Sequence, residues 1–303
     1  MLNVDQRENV SNMINKALMS AKLMISCPDK PGIIASVTNF LASNNINIVH
    51  ADQHSMSVDE KNMFFMRLVF EYDAQLVDIA NIENDFGSLV ANEYKMNWNI
   101  FRDEERKKIA ILASKTDHCL LEILWRWRSG EINADIPLII SNHDKLEKEV
   151  IAFGIPFHHL PVNSKNKNQQ EEQILALLKD HEIDLVVLAR YMQILSNNFT
   201  NIYQNKIINI HHSFLPAFVG ADPYGQAMQR GVKVVGATAH YATEDLDQGP
   251  IIEQDVIRLT HREGRKKIIE LGKEVERSVL ARAVKWHLED RIFIVGNKTI
   301  VFN

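Results

Sequence analysis

The chain has little cysteine: two residues in 303, Cys27 and Cys119. Far apart and without partners at metal-ligand spacing, they exclude a disulfide framework and a zinc knuckle. Basic charge is not in excess. Lys and Arg number 34 against 39 Asp and Glu, a net charge of −5, which argues against nucleic-acid binding through a basic surface. No run of 18 apolar residues occurs, so nothing reads as a membrane span. Residues 1–20 lack the basic start and apolar block of a secretory signal and read as a flexible or helical extension. Internal repeats and low-complexity segments are absent. What remains reads as a cytoplasmic protein with 46% apolar residues, long enough for two domains.

The first domain is expected over 21–102. Leu23–Cys27 reads as a strand, Pro28 to Gly32 as a turn, and Ile33–Ala42 as a helix with an apolar stripe. Strands at Ile46–His50 and Met63–Phe70, a helix over Leu76–Leu89 and a strand at Tyr94–Phe101 complete a βαββαβ order, a ferredoxin-like α+β unit. Residues 103–108, all charged, read as a linker. The second domain, 109–303, alternates short apolar runs with helical patterns. Strands are expected at Ile109–Leu112, Pro137–Ile140, Pro156–Leu160, Leu185–Leu188 and Lys206–Ile210. Helices are expected at Cys119–Arg126, Asp144–Phe153 and Gln170–His181. That alternation implies α/β architecture with a mostly parallel sheet. Strands Val232–Tyr241 and Pro250–Val256, a helix over Arg265–Leu288 and a hairpin over Ile292–Phe302 close the chain.

Chemistry concentrates in two stretches. Asn209 and His211 stand two apart at a strand end, so their side chains share a face. His212 points the other way, which speaks against metal ligation by adjacent histidines. In HYATEDLDQGPII, three carboxylates, Glu244, Asp245 and Asp247, precede a turn at Gly249-Pro250. An amide, an imidazole and a carboxylate suffice for a carbonyl-group reaction without a metal. Read singly, the same residues are a satisfied strand end, a solvated acidic turn and a core histidine, His240. A metal held by His211, His240 and Asp247 stays open. The loop Ala113 to His118 contains no glycine, although a backbone phosphate cradle usually needs one.

The stretches Asn209–Ala227 and His240–Ile252 resemble the formyltransferase/deformylase group of folate enzymes, and the resemblance extends from about Leu23 to Phe302. The run CPDKPGIIASVTNFLASNNINI resembles an ACT domain, a regulatory module. These resemblances imply an N-terminal ACT-like unit and a Rossmann-like formyltransferase domain. They further imply hydrolysis of 10-formyltetrahydrofolate to tetrahydrofolate and formate, in the service of one-carbon pools for purine synthesis. Asp247 would activate water, with Asn209 and His211 stabilising the oxyanion. The stretch LARYMQIL would be the pterin loop, so that Arg190, Met192, Gln193, Ile194 and Leu195 bind substrate together with Ser213, Tyr224, His240 and Glu244. Asp222 receives no role. No cofactor and no metal are expected; the folate is the substrate. An amino-acid effector at Asp29, Gly32 and Ile33 and a homo-oligomer are further expectations. The glycine-free loop departs from the transferases that hold a phosphorylated acceptor, and so favours water as acceptor. Two alternatives stay open: formyl transfer to an amine, and a non-catalytic folate- or amino-acid-binding regulator.

Overall fold

The structure, a computed structural model, describes residues 18–217 and 223–302. Most of the expected extension, and Asp222, therefore lie outside the described residues. The chain divides into two compact units, the first of residues up to Glu105 together with Phe302 and the second Arg106–Val301.

In the first unit β1 (Leu18–Pro28), α1 (Ile33–Ser43), β2 (Asn47–Val58), β3 (Lys61–Asp73), α2 (Ile79–Phe86) and β4 (Asn97–Arg102) form a ferredoxin-like fold. The sheet runs β2-β3-β1-β4, and its pairings are antiparallel. β1 begins at Leu18, inside the segment expected as extension, because its register with β3 pairs Leu18 with Asp73. β2 is longer than its apolar run because none of its residues is fully buried, so hydrophobicity could not mark its extent. Asp59 and Glu60, at φ 47° and 65°, form the two-residue left-handed turn that suits a tight hairpin. Asp78 caps α2 by accepting a hydrogen bond from the Ala80 amide at 3.0 Å. The helical path then continues through a π turn, Gly87–Ala91, until Lys95 turns left-handed at φ 53°. Leu23, Ile25, Val37, Leu41, Leu68, Phe70 and Phe86 fill the core and are fully buried. Asp103, expected in the linker, still bonds the first sheet: its amide donates to the Ser20 carbonyl and its carboxylate meets Lys22.

The second unit contains β5 (Lys108–Ala113), α3 (His118–Arg128), β6 (Asp135–Ser141), α4 (Glu147–Ile151), β7 (Phe157–His159), α5 (Lys167–Asp180), β8 (Leu185–Ala189), α6 (Asn197–Ile202), β9 (Ile207–His211), α7 (Pro223–Arg230), β10 (Val234–Tyr241), β11 (Ile251–Arg258), α8 (Arg265–Leu288) and the hairpin β12 (Ile292–Val295) and β13 (Lys298–Val301). Helices α6 and α7 have no counterpart in the sequence reading; each is short and carries too few apolar residues for a clear stripe. The seven-stranded sheet runs β11-β10-β9-β8-β5-β6-β7. β5 to β9 are parallel, whereas β10 is antiparallel to both β9 and β11. One face packs on α3 and α8 through Ile111, Ile123, Val187, Ile210 and Val279. The other packs on α5 and the α6 region through Leu112, Ile174, Leu188, Phe199 and Tyr203. β6 and β7 extend to one side of β5 and β8 and β9 to the other, so the order reverses between β5 and β8. Open α/β sheets bind ligands at the carboxyl strand ends near such a reversal.

Candidate active site

The carboxyl end of β9 carries Asn209 and His211. Because β10 returns antiparallel, His240 lies opposite Asn209 and Thr238 opposite His211 in the register. This pairing brings together residues that sequence spacing leaves far apart. Beyond β10, the turn 242–250 folds back over the strand ends. Gly249 makes that path possible: a Cβ there would lie 1.8 Å from the Tyr241 carbonyl oxygen, so only glycine fits. The turn is pinned where the Tyr241 amide donates to the Pro250 carbonyl at 2.9 Å. Asp247 itself is left-handed at φ 57°, a conformation that aspartate tolerates better than most residues and that recurs at functional sites.

The result is one carboxylate between two imidazoles. Asp247 Oδ2 lies 3.1 Å from His211 Nδ1, and Oδ1 lies 3.6 Å from His240 Nε2. Asn209 Nδ2 is 3.1 Å from His240 Nε2. His240 Nδ1 must donate, since its partner at 2.9 Å is the Tyr241 carbonyl. In the neutral ring Nε2 therefore accepts from the Asn209 amide, and only in the protonated ring does it instead donate towards Asp247. His211 and His240 are both buried. Burial pushes the Asp247 carboxyl upward, but the hydrogen bonds and charges of the two histidines outweigh it and hold the group well below the usual carboxylate range. With Nδ1 on Asp247, the His211 Nε2 is left buried and without a hydrogen-bond partner.

Asn209, His240 and Asp247 line a cavity together with Leu188, Gln193, Ile194, Leu195, Thr200 and residues 242–246. Of the expected substrate residues, Gln193, Ile194, Leu195, His240 and Glu244 thus face one space. Glu244 is exposed and accepts from Asn197 Nδ2 at 3.5 Å. Four others do not join them, and each has a physical reason. Met192, left-handed at φ 59°, is directed to solvent. Arg190, at φ 60°, turns towards α8, where its Nη1 is 3.4 Å from Glu276. Ser213 is buried and donates its hydroxyl to the Ala217 carbonyl at 2.8 Å. Tyr224 is buried and donates its hydroxyl to Glu276. These four do not line that cavity in this structure.

Two residues that hold the loop 188–195 were not singled out by the sequence reading. Gln170 donates to Tyr191 Oη at 2.9 Å and to the Leu160 carbonyl at 2.8 Å. Glu171 accepts from the Ser196 amide at 3.1 Å. Gln170 stands in i, i+4 register with the buried Ile174 and Leu178 of α5, so a polar residue on an apolar stripe was the available signal.

Among the described residues, His118, Cys119 and Glu276 bring ligand-type atoms within 4.8 Å of one another. They fit a cation poorly. The Arg190 guanidinium already faces Glu276, and burial raises the Cys119 thiol, keeping it protonated. In the set His211, His240 and Asp247, left open for a metal, both imidazoles stand beside the carboxylate, but the three do not bring one ligand atom each within 4.8 Å of one another.

In the first unit Asp29, Lys30, Gly32, Gln53, His54 and Ser55 border a cleft of about 690 Å³. Gly32 caps α1 without a side-chain hydrogen bond, which leaves the amides of the first turn for a ligand. Ile33, buried in the core, also borders the cleft, so the three expected effector residues share it. Among the described residues, no helix is long and apolar enough to cross a membrane.

Comparison with known proteins bears on both units. Residues 107–284 match the formyl transferase family, and residues 22–75 match the ACT domain family. A formyltetrahydrofolate deformylase of a Synechocystis species is 50% identical over 284 residues, 94% of this chain and 99% of that protein. One of Bacillus subtilis is 46% identical over 282 residues, 93% of each. The crystal structure of a formyltetrahydrofolate deformylase from Pseudomonas syringae pv. tomato superposes with a TM-score of 0.90 at 43% identity, covering 99% of this chain and 100% of that one.

Proposed function

The chain belongs to the formyltetrahydrofolate deformylase family, and on that premise we propose that it hydrolyses 10-formyltetrahydrofolate at the cluster of Asn209, His211 and Asp247. The observation that carries the reading is the Asp247 carboxylate held between two imidazoles while His211 Nε2 has no partner. Folate lies in the cavity bordered by Gln193, Ile194, Leu195 and Glu244, with its formyl carbon at the Asn209–Asp247 end. Water attacks that carbon. Asp247, kept ionised by its neighbours, orients the water, draws on its proton and sustains a charged His211. The Asn209 amide and His211 Nε2–H donate to the oxyanion of the tetrahedral intermediate. Collapse breaks the bond from carbon to N10; N10 takes up a proton from His211, and formate leaves. One water is consumed: one of its protons is balanced by the one gained at N10, and the other is released as the nascent formic acid ionises to formate.

The glycine-free loop between β5 and α3 supports water as acceptor, because it offers no close backbone cradle to a phosphorylated amine. The test is incubation with 10-formyltetrahydrofolate, with and without amine acceptors and a chelator, while formate is followed. Formate release that needs neither acceptor nor metal is expected. Dependence on an amine would turn the reading towards transfer.

The cleft at Asp29 and Gly32 supports a small amino acid as effector, its carboxylate at the α1 amides. β2 lies at an edge of its sheet, which supports pairing between chains as the basis of a homo-oligomer.

A further inference from the structure

A glycine sits inside the longest helix. Gly272 of α8 is an unfavourable choice for a helix interior, where alanine is the better helix former. Its use here has a local cause. A Cβ at Gly272 would lie 2.1 Å from Tyr224 Oη, 2.3 Å from Cζ and 2.5 Å from Cε1. The Tyr224 ring therefore occupies the notch that the missing side chain leaves. One helical turn on, Glu276 lies on the same face and accepts the Tyr224 hydroxyl. Glu276 is 1% exposed; its other oxygen is 2.9 Å from His118 Nε2 and 3.4 Å from Arg190 Nη1. The tyrosine is thus seated at its ring by Gly272 and at its hydroxyl by an anion that the His118 imidazole and the Arg190 guanidinium hold in place.

The other side of the ring leads to the reacting residues. Tyr224 packs on His212 with ring centroids 5.9 Å apart, and His212, expected from strand alternation to point away from His211, instead packs on it at 5.3 Å because β9 ends at His211. His211 is bonded at Nδ1 by Asp247, and that bond fixes one point of the ring. The His212 ring lies against it at an interplanar angle of 43°. We propose that Tyr224, seated over Gly272 and tied to Glu276, is a positioning residue that sets His211 through His212 and does not touch the substrate. This inference rests on the hydrolytic reading for its effect on turnover, but its geometric content does not depend on that reading.

Gly272→Ala separates a positioning role from a general structural one. An apolar cavity of about 260 Å³ borders His212, Phe214, Tyr224, Val235 and Val256, so a displaced ring has space to enter without unfolding the unit. The unit should therefore stay folded with a modest loss of thermal stability, since the better helix former only partly offsets leaving the buried Glu276 without the Tyr224 hydroxyl. Turnover should fall about 10- to 100-fold, the scale of a misplaced reacting group, with KM for 10-formyltetrahydrofolate within about twofold. In a Tyr224→Ala background the same change should alter kcat by less than about twofold, because no ring remains to be displaced. The side-chain ¹⁵N resonances of His211 should shift between wild type and Gly272→Ala whatever substrate the enzyme takes. Unmoved His211 resonances with unchanged kcat, a raised KM with intact kcat, or additive losses in the double variant would each overturn the proposal. Shifted resonances in a protein that releases no formate would leave the positioning intact and refute the hydrolytic reading. Should Gly272→Ala fail to fold, Tyr224→Phe keeps the ring and removes the bond to Glu276. It should lower kcat about threefold to tenfold with KM unchanged; unaltered turnover and unaltered His211 resonances would then overturn the proposal.

Discussion

The two units differ in where they bury polar groups. In the first, the buried residues are nearly all apolar, with Arg67 the polar exception among those described. In the second, Ser114, Asn142, Gln170, Glu171, His211, His212, Thr238, His240 and Glu276 are all buried, and most stand at or near the carboxyl ends of the parallel strands. Burying such groups is unfavourable unless they are bonded, and an apolar core of the same shape would be simpler. Their concentration marks the region where the fold serves chemistry. The first unit offers a solvated cleft instead, whose polar groups stay on the surface and suit reversible ligand binding.

The sharpest way to break this contrast is to remove one buried charge. Asp247→Asn keeps the size of the side chain and should lower kcat by more than about 10³ while folate affinity stays within a few-fold. Asn209→Ala should lose about 10² to 10³, and the two losses should not add. Formate-release kinetics with equilibrium folate titration measure both. If Asp245→Asn were crippling and Asp247→Asn mild, the acidic residue has been wrongly chosen.

Proton linkage gives a second test. Burial, and then the nearby Arg190 charge, lowers the His212 pKa from 6.5 to about 4, against smaller opposing contributions from Glu276 and Asp247. The unfolded chain then binds more protons than the folded one between those values. The corresponding stability is fully present above pH 6.5 and is lost as pH falls towards 4, on the order of 3 kcal/mol at most. His212→Gln cannot titrate and should show a flatter decline from pH 7 to 4.5 in denaturant unfolding. Parallel curves for the two proteins would remove His212 from the account.

In the first unit the expected effects are smaller. Asp29→Ala should weaken binding of a small amino acid by about tenfold, the order of one charge-assisted hydrogen bond. Calorimetry across the common amino acids decides this, and a screen without any binder would make the unit structural. Least of all should follow from Glu83→Gln, which breaks the half-exposed ion pair to Arg102 at 3.0 Å. A shift below about 1 kcal/mol in the unfolding midpoint is expected. A larger loss would mean that the first unit, too, leans on its polar pairs.

The βαββαβ order and the β/α alternation were legible because period-2 and period-3.6 patterns are local, and α8 has the same limits as its apolar pattern, Arg265–Leu288. Legibility failed where packing does not mark the chain. β2 has no fully buried residue, and α6 is one short turn and a half with little apolar content. At the candidate site, Asn209, His211 and the acidic turn stood out as residue types. Gln170, Glu171 and Glu276 did not, because a buried carboxylate or amide looks like any helix-surface residue until its partners are known.

By itself the sequence determined the local facts: a strand ending in Asn209 and His211, a turn closed by Gly249-Pro250, a first helix opening at Gly32 and a second sheet of mostly parallel strands. Each is encoded within a few residues by side-chain period and backbone freedom. Tertiary structure decided the rest. Antiparallel entry of β10 set His240 opposite Asn209, and the path of the turn brought Asp247, and neither Glu244 nor Asp245, to His211. Arg190 was drawn from the expected pterin loop to Glu276 on α8. These outcomes depend on strand order and on which helix covers which face, and charges distant in sequence find one another only when the sheet has closed between them.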